Sequence, residues 1–118
     1  VINIDIVVTI PKKEYKNDDI ETDFLNKNPD AYQFWTLNRT PKNIKVGDRV
    51  YFAKNNKIES SMKIFQIEHA NPIKFVLEYC EVTDRKWKGE CILYMNDLRE
   101  ENLNIEIKGF QGFRYKWW

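Results

Sequence analysis

Histidine occurs once in this 118-residue sequence, serine twice, cysteine twice and glycine four times, and each scarcity removes a kind of chemistry. With His69 alone and no Cys-x-x-Cys spacing, no metal site is expected. With Ser60 and Ser61 as the sole serines, no Gly-x-Ser-x-Gly elbow and no phosphate-binding glycine loop, the usual machinery of covalent and phosphoryl-transfer catalysis is missing. No catalytic residue and no cofactor is therefore assigned. The longest apolar runs fall far short of the roughly 18 residues that span a bilayer, so no membrane is expected as a partner. Neither sign of charge dominates: 19 Lys and Arg face 18 Asp and Glu, leaving no long-range field to draw in a polyanion. Any nucleic-acid site must be a local patch. No charged segment followed by an apolar one opens the chain at Val1, and no lipidation motif closes it, which predicts a cytoplasmic protein, processed or excised from a longer one. In that compartment Cys80 and Cys91 are expected as free thiols, although they flank "TDRKWKG" closely enough for a disulfide across a turn.

What is present is globular in composition, 42% hydrophobic and 31% charged, and the length suits a single domain over residues 1–118. "VINIDIVVTI" is β-branched at nearly every position and reads as a buried first strand. "KNDDIETDFLNKN" offers Asn17, Asp18 or Asp19 as N-caps and Ile20, Phe24 and Leu25 at helical spacing, predicting a helix near 18–27 that Pro29 ends. "AYQFWTL", "RVYFAK", "SMKIFQIEHA", "IKFVLEYCEVT" and "GECILYM" read as strands, with "NNK" as a turn. The last two are expected to pair across a turn at Asp84 to Gly89. "NDLREEN" reads as a polar loop and "LNIEIKGF" as the last clear strand, before a C-terminal run that returns close to the first strand. About seven short strands and one early helix predict a small, mixed, strongly bent α+β pseudo-barrel with one or two short helices. Seven Phe, six Tyr and four Trp exceed what so small an interior holds, so some rings must line a surface or pocket.

The order of strand, helix, "FWTLNRTPKNIKVGDRVYF", turn, "SSMKIFQIE" and "GFQGFRYKWW" resembles the PUA-like superfamily, and within it most the EVE domain. The resemblance covers nearly the whole chain and is most specific at "IKVGDRVYF" and "GFRY". It implies a pseudo-barrel that holds one nucleobase, often a modified one flipped from its strand, against aromatic walls. The related YTH domains do this with methylated RNA bases and SRA domains with modified cytosine in DNA. ASCH domains, some of them hydrolytic, resemble the fold equally, but their G-x-K-x-x-E-x-R motif is not found here.

The residues themselves are compatible with base binding, because a flipped base needs aromatic faces to stack on and amides or hydroxyls to read its edge. Trp35, Thr36 and Asn38 supply these types where a strand meets a loop, and Tyr115 and Trp117 supply them at the C-terminus. Trp35 and the two C-terminal rings equally suit core packing. Arg39, Lys42, Lys45, Arg49 and Arg114 are the expected phosphate contacts, or else ordinary solvated charges. Gly47 and Asp48 are assigned to the turn itself, and Trp87 to an exposed hairpin tip between Arg85 or Lys86 and Lys88. The expected function is a module that recognises a base of DNA or RNA, with fusion to or association with an effector domain as an open partner. Two alternatives stay open: a small hydrolase acting on a nucleoside or RNA with acid and lysine side chains such as Glu59 and Lys54, or a protein-interaction domain using exposed aromatics.

Overall fold

Alternation along β1 explains the first feature of the fold. In the computed structural model, which describes residues 4–69, 76–80, 85–110 and 112–118, with backbone alone for 76–80 and 85–88, Ile6, Val8 and Ile10 face one core and Val7 another. A strand buried on both faces must be apolar at every position, which accounts for its unbroken β-branched run.

The elements are β1 (Ile6–Thr9), a 3-10 turn (Lys12–Glu14), α1 (Tyr15–Lys27), β2 (Gln33–Leu37), β3 (Arg49–Lys54), β4 (Lys57–His69), β5 (Val76–Cys80), β6 (Arg85–Gly89), β7 (Cys91–Leu103) and β8 (Phe113–Tyr115). Six strands form one curled, mixed half-barrel sheet in the order β2-β7-β4-β3-β1-β8, and β5 and β6 form a separate two-stranded sheet. β1 runs parallel to β3, while β8 returns antiparallel onto β1 with Ile6 opposite Tyr115. The larger core lies on one face, where Val50, Phe52, Met62, Ile64, Leu93 and Met95 meet Leu25 of α1. On the other face Tyr51, Ala53 and Ile58 are covered by Ile107 with Leu103, Ile105 and Phe110. Together with the bulges along β4, where pairing to β7 slips at three places, this gives the sheet its bend.

Several expectations change. The helix begins at Tyr15, ahead of the caps read from sequence, and Glu14 stands at the N-cap with its carboxylate accepting from the Asn17 side-chain amide at 3.1 Å rather than from a backbone amide. Asp18 and Asp19 are inside the helix because their carboxylates bond Lys54 instead of capping backbone amides. "NDLREEN" is part of β7, with Asp97 and Asn102 at φ 55° and 46° absorbing its irregularity. "LNIEIKGF" carries strand only through Leu103 and continues as an irregular strap, its apolar residues held by packing rather than by pairing. β7 pairs with β2 and β4, not with "IKFVLEYCEVT", and residues 85–89 are strand β6 rather than turn. The side chains of Trp87 and Cys80 and residues 81–84 lie outside the described residues. The Asn55-Asn56 turn is as expected, both residues having positive φ as a two-residue hairpin requires.

Candidate functional site

β2 and β8 are the opposite edges of the six-stranded sheet, yet residues just beyond β2 touch β8. The Arg39 guanidinium lies 5.1 Å from the Phe113 ring centre, and the Lys42 amide donates to the Tyr115 hydroxyl at 2.9 Å. The loop 38–48 thus bridges the seam that the half-barrel leaves open. Its inner end is pinned. Pro41 and Asp48 are fully buried, Ile44 packs on the main core, and the Asp48 carboxylate accepts from the amides of Lys45 at 2.9 Å and Ile4 at 3.2 Å. Gly47, at φ +103°, donates to the Ile64 carbonyl, and the Ile64 amide donates back to Asp48. The Gly-Asp pair therefore fixes the loop to β4 and to the start of β1.

Beside this bridge is an open groove of about 620 Å³, lined by Ile4, Asp5, Lys42, Asn43, Tyr115, Lys116 and Trp118. β8 ends next to it because the Lys116 amide donates to the Asp5 carbonyl at 3.0 Å. One carboxylate oxygen of Asp5 accepts the Arg49 amide at 2.9 Å. The Lys116 ammonium sits 5.0 Å from the Tyr51 ring and 5.5 Å from that of Trp118, and Trp118 packs edge-on against both Tyr51 and Trp117. Arg114, on the opposite side of β8 from Tyr115, lies 4.6 Å from Phe110. Tyr115, Trp117 and Trp118 are 45%, 49% and 38% exposed, far more than core rings are.

The residues singled out from sequence do not form one pocket. Trp35 is half-buried, 5.6 Å from Phe52, and packs on the main core. Thr36 lies beneath Gly89 of β6, where an added Cβ would come within 3.2 Å of its own and within 2.7 Å of the Leu37 carbonyl oxygen. Asn38 is exposed at the bend. Tyr115 and Lys42 line the groove, and Trp117 reaches it through Trp118. Lys45 is exposed on the bridging loop. Arg49 points elsewhere: its guanidinium donates to Ser61 Oγ and carbonyl and to the Asp97 carboxylate and carbonyl, at 2.8 to 3.2 Å. The Arg49 hydrogen bond is the chief reason the Asp97 pKa falls below its ordinary value. Asp5, Asn43, Lys116 and Trp118 were not in the expected set. A single acid interrupting the β-branched run of β1 and the basic-aromatic alternation of "RYKWW" are the signals that mark three of them.

Lys54, named with Glu59 in the hydrolase alternative, is buried. Its ammonium bonds Asp18 at 2.9 Å and Asp19 at 2.6 Å and lies 5.1 Å from the Tyr15 ring. Burial pushes its pKa down, but the hydrogen bonds it donates to Asp19 and Asp18 outweigh this and leave it raised. Burial raises the Asp18 pKa, and Lys54 offsets that only in part. Cys91 is free and buried, and burial raises its thiol pKa despite a hydrogen bond from Thr40. Among the described residues no cluster of His, Cys, Asp and Glu is arranged to hold a metal ion, and no helix is long and apolar enough to cross a membrane.

No protein-family model matches the chain, and comparison with curated proteins and with solved structures gives no match.

Proposed function

We propose that this domain binds single-stranded nucleic acid, receiving a base in the groove between the Lys42-Asn43 turn and the end of β8. The observation that carries the reading is the interleaving of exposed rings with cations around that groove: Tyr115 and Trp118 beside Lys42 and Lys116. Stacking on an aromatic face is worth about 1 to 3 kcal/mol per base, and neighbouring ammoniums take the phosphates that flank it. A volume of about 620 Å³ is within the range of roughly 300 to 1,000 Å³ typical of small-molecule sites. The local character of the patch agrees with a formal net charge of only +1. The resemblance of "IKVGDRVYF" and "GFRY" to the PUA-like superfamily and its EVE domain supports the same class of ligand, a modified or flipped base included. Relative to the sequence expectation, the site moves away from Trp35 and toward Trp118.

Titration of fluorescein-labelled single-stranded oligonucleotides tests this. Wild type is expected to bind with an affinity that falls as salt rises, and Trp118→Ala to bind about 5- to 150-fold more weakly, the equivalent of one lost stacking surface. Unchanged binding by Trp118→Ala and Tyr115→Ala together would remove the groove from the reading.

A protein-interaction role is the second reading, and one observation favours it. Tyr32, Phe34 and Phe65 surround Tyr94 at ring separations of 5.9 to 6.4 Å, with Tyr32 and Phe65 exposed. Loss of a partner from Phe65→Ala, with oligonucleotide binding intact, would support it. The hydrolase alternative draws less support, because the Lys54 ammonium that would serve as its base is engaged by two carboxylates.

A further inference from the structure

The groove contains one group that a general nucleic-acid site does not need. Asp5, an acid, is among the residues that line it, in the company of two lysines and two aromatic rings. A phosphate repels a carboxylate, so Asp5 must face a different part of the ligand. Its Oδ1 accepts the Arg49 amide, which fixes the side chain, and Oδ2 makes no hydrogen bond to a described residue. A carboxylate offers about four lone-pair positions and no donor, so one backbone bond leaves acceptor capacity on both oxygens.

We infer that Asp5 selects the base, and that the groove takes guanine by pairing the Asp5 carboxylate with its N1–H and exocyclic amino donors. The inference rests on the nucleic-acid reading above. The other bases fit the carboxylate less well, for reasons of donor and acceptor order alone. Uracil and thymine place carbonyl oxygens on both sides of their single N–H. Adenine and cytosine offer an amine next to a ring nitrogen that accepts. Each would set a lone pair against a carboxylate oxygen, whereas guanine alone presents two adjacent donors. A cationic amine would suit Asp5 and the rings, but Lys42 and Lys116 line the same groove and repel it. The same two lysines suit the phosphates on either side of a bound guanosine.

The test uses hexanucleotides, ribo and deoxyribo series in parallel: all-uridine or all-thymidine, and the same with one central guanine, inosine, adenine or cytosine. With wild-type protein, one guanine is expected to tighten binding about 5- to 150-fold over the homopolymer, the range of a good bidentate pair, in whichever sugar series binds. Inosine lacks the exocyclic amine and should forfeit part of that gain. Asp5→Asn keeps a carbonyl oxygen for the Arg49 amide but turns a donor toward the groove. It is expected to melt as wild type does and to lose the guanine preference while still binding the homopolymer. Equal binding of guanine and homopolymer by wild type, or a guanine preference that persists in Asp5→Asn, would overturn the inference and leave the nucleic-acid reading standing. If no hexanucleotide binds wild type, both fall. Should Asp5→Asn not fold, the wild-type comparison decides: indistinguishable binding of the guanine and inosine oligonucleotides overturns the inference.

Discussion

Two lysines in this domain lie at nearly the same distance from a tyrosine ring, Lys54 at 5.1 Å from Tyr15 and Lys116 at 5.0 Å from Tyr51, and their surroundings give them opposite roles. Lys54 is 8% exposed and closes its charge on Asp18 and Asp19, which fastens α1 to the end of β3. The Tyr15 hydroxyl adds to that junction by accepting the Asn55 amide at 3.0 Å. Around Lys116, among the described residues, no carboxylate lies within ion-pair distance, and the ring that completes its setting, Trp118, is part of an open groove. A cation on an aromatic ring is thus not in itself a binding feature. What decides is whether the fold has already neutralised it. Desolvation favours pairing at Lys54, since an unpaired buried charge costs several kcal/mol, while Lys116 has no carboxylate partner among the described residues and is the cation that the proposed reading assigns to a ligand.

The tryptophans repeat the contrast and give the largest expected effect. Trp35→Ala removes a ring packed on Phe52 and the main core, and should lower stability by about 3 kcal/mol, read by thermal or urea unfolding. Trp117→Ala, at an exposed ring, should stay within about 0.5 kcal/mol of wild type. Equal losses would erase the distinction between the two sites.

Next in size is Lys54→Met, which strands the partly buried Asp18 carboxylate and should cost about 2 kcal/mol without changing oligonucleotide affinity. The cost has a pH signature. The Lys54 pKa is raised above 10.5, so its contribution is complete below that value and is lost as pH rises through the higher folded-state pKa. The stability difference between wild type and Lys54→Met should therefore be flat through neutral pH and shrink at alkaline pH. It should shrink on acidification as well, because protonation of the Asp18 carboxylate, whose pKa burial already raises, relieves the variant of its unpaired charge; a difference that stays constant into the alkaline range would assign the loss to another group.

The smallest effect on stability, and the sharpest on function, belongs to Lys116→Met. Folding should be almost unaffected, while binding weakens alike for all single strands and the salt slope drops by about 0.7 if one phosphate contact is lost. Loss of stability without loss of binding would make Lys116 a second Lys54.

Much of the architecture was legible because it is written in local periodicity. β1, β2, β3 and β4 follow alternation or β-branched runs, and the Asn55-Asn56 and Gly47-Asp48 turns follow from residues that tolerate positive φ or bond backbone amides. What could not be read is long-range. β7 crosses to pair with both β2 and β4, a choice that depends on which apolar faces meet and not on the neighbouring residues. The charged composition of "RKWKG" reads locally as a turn, yet the chain there is strand, with Gly89 allowing a close approach to β2. The candidate site was half legible for the same reason. Tyr115 and Lys42 carry the right chemistry in sequence, but only folding brings Lys42 onto Tyr115 across 73 positions and separates Trp35 from both. Arg49 looks like its neighbours in sequence and differs because β3 turns it toward Ser61 and Asp97.

The location of the proposed binding site can be tested on the four tryptophans themselves. In a heteronuclear spectrum of protein with nitrogen-15 in its indole groups, each tryptophan gives one side-chain signal, and a single-stranded hexanucleotide is added stepwise. The signals of Trp118 and Trp117 are expected to move in a saturable way while that of Trp35 holds its position. Movement of the Trp35 signal with those of Trp117 and Trp118 unchanged would place the base at the opposite edge of the sheet and contradict the assignment of the groove.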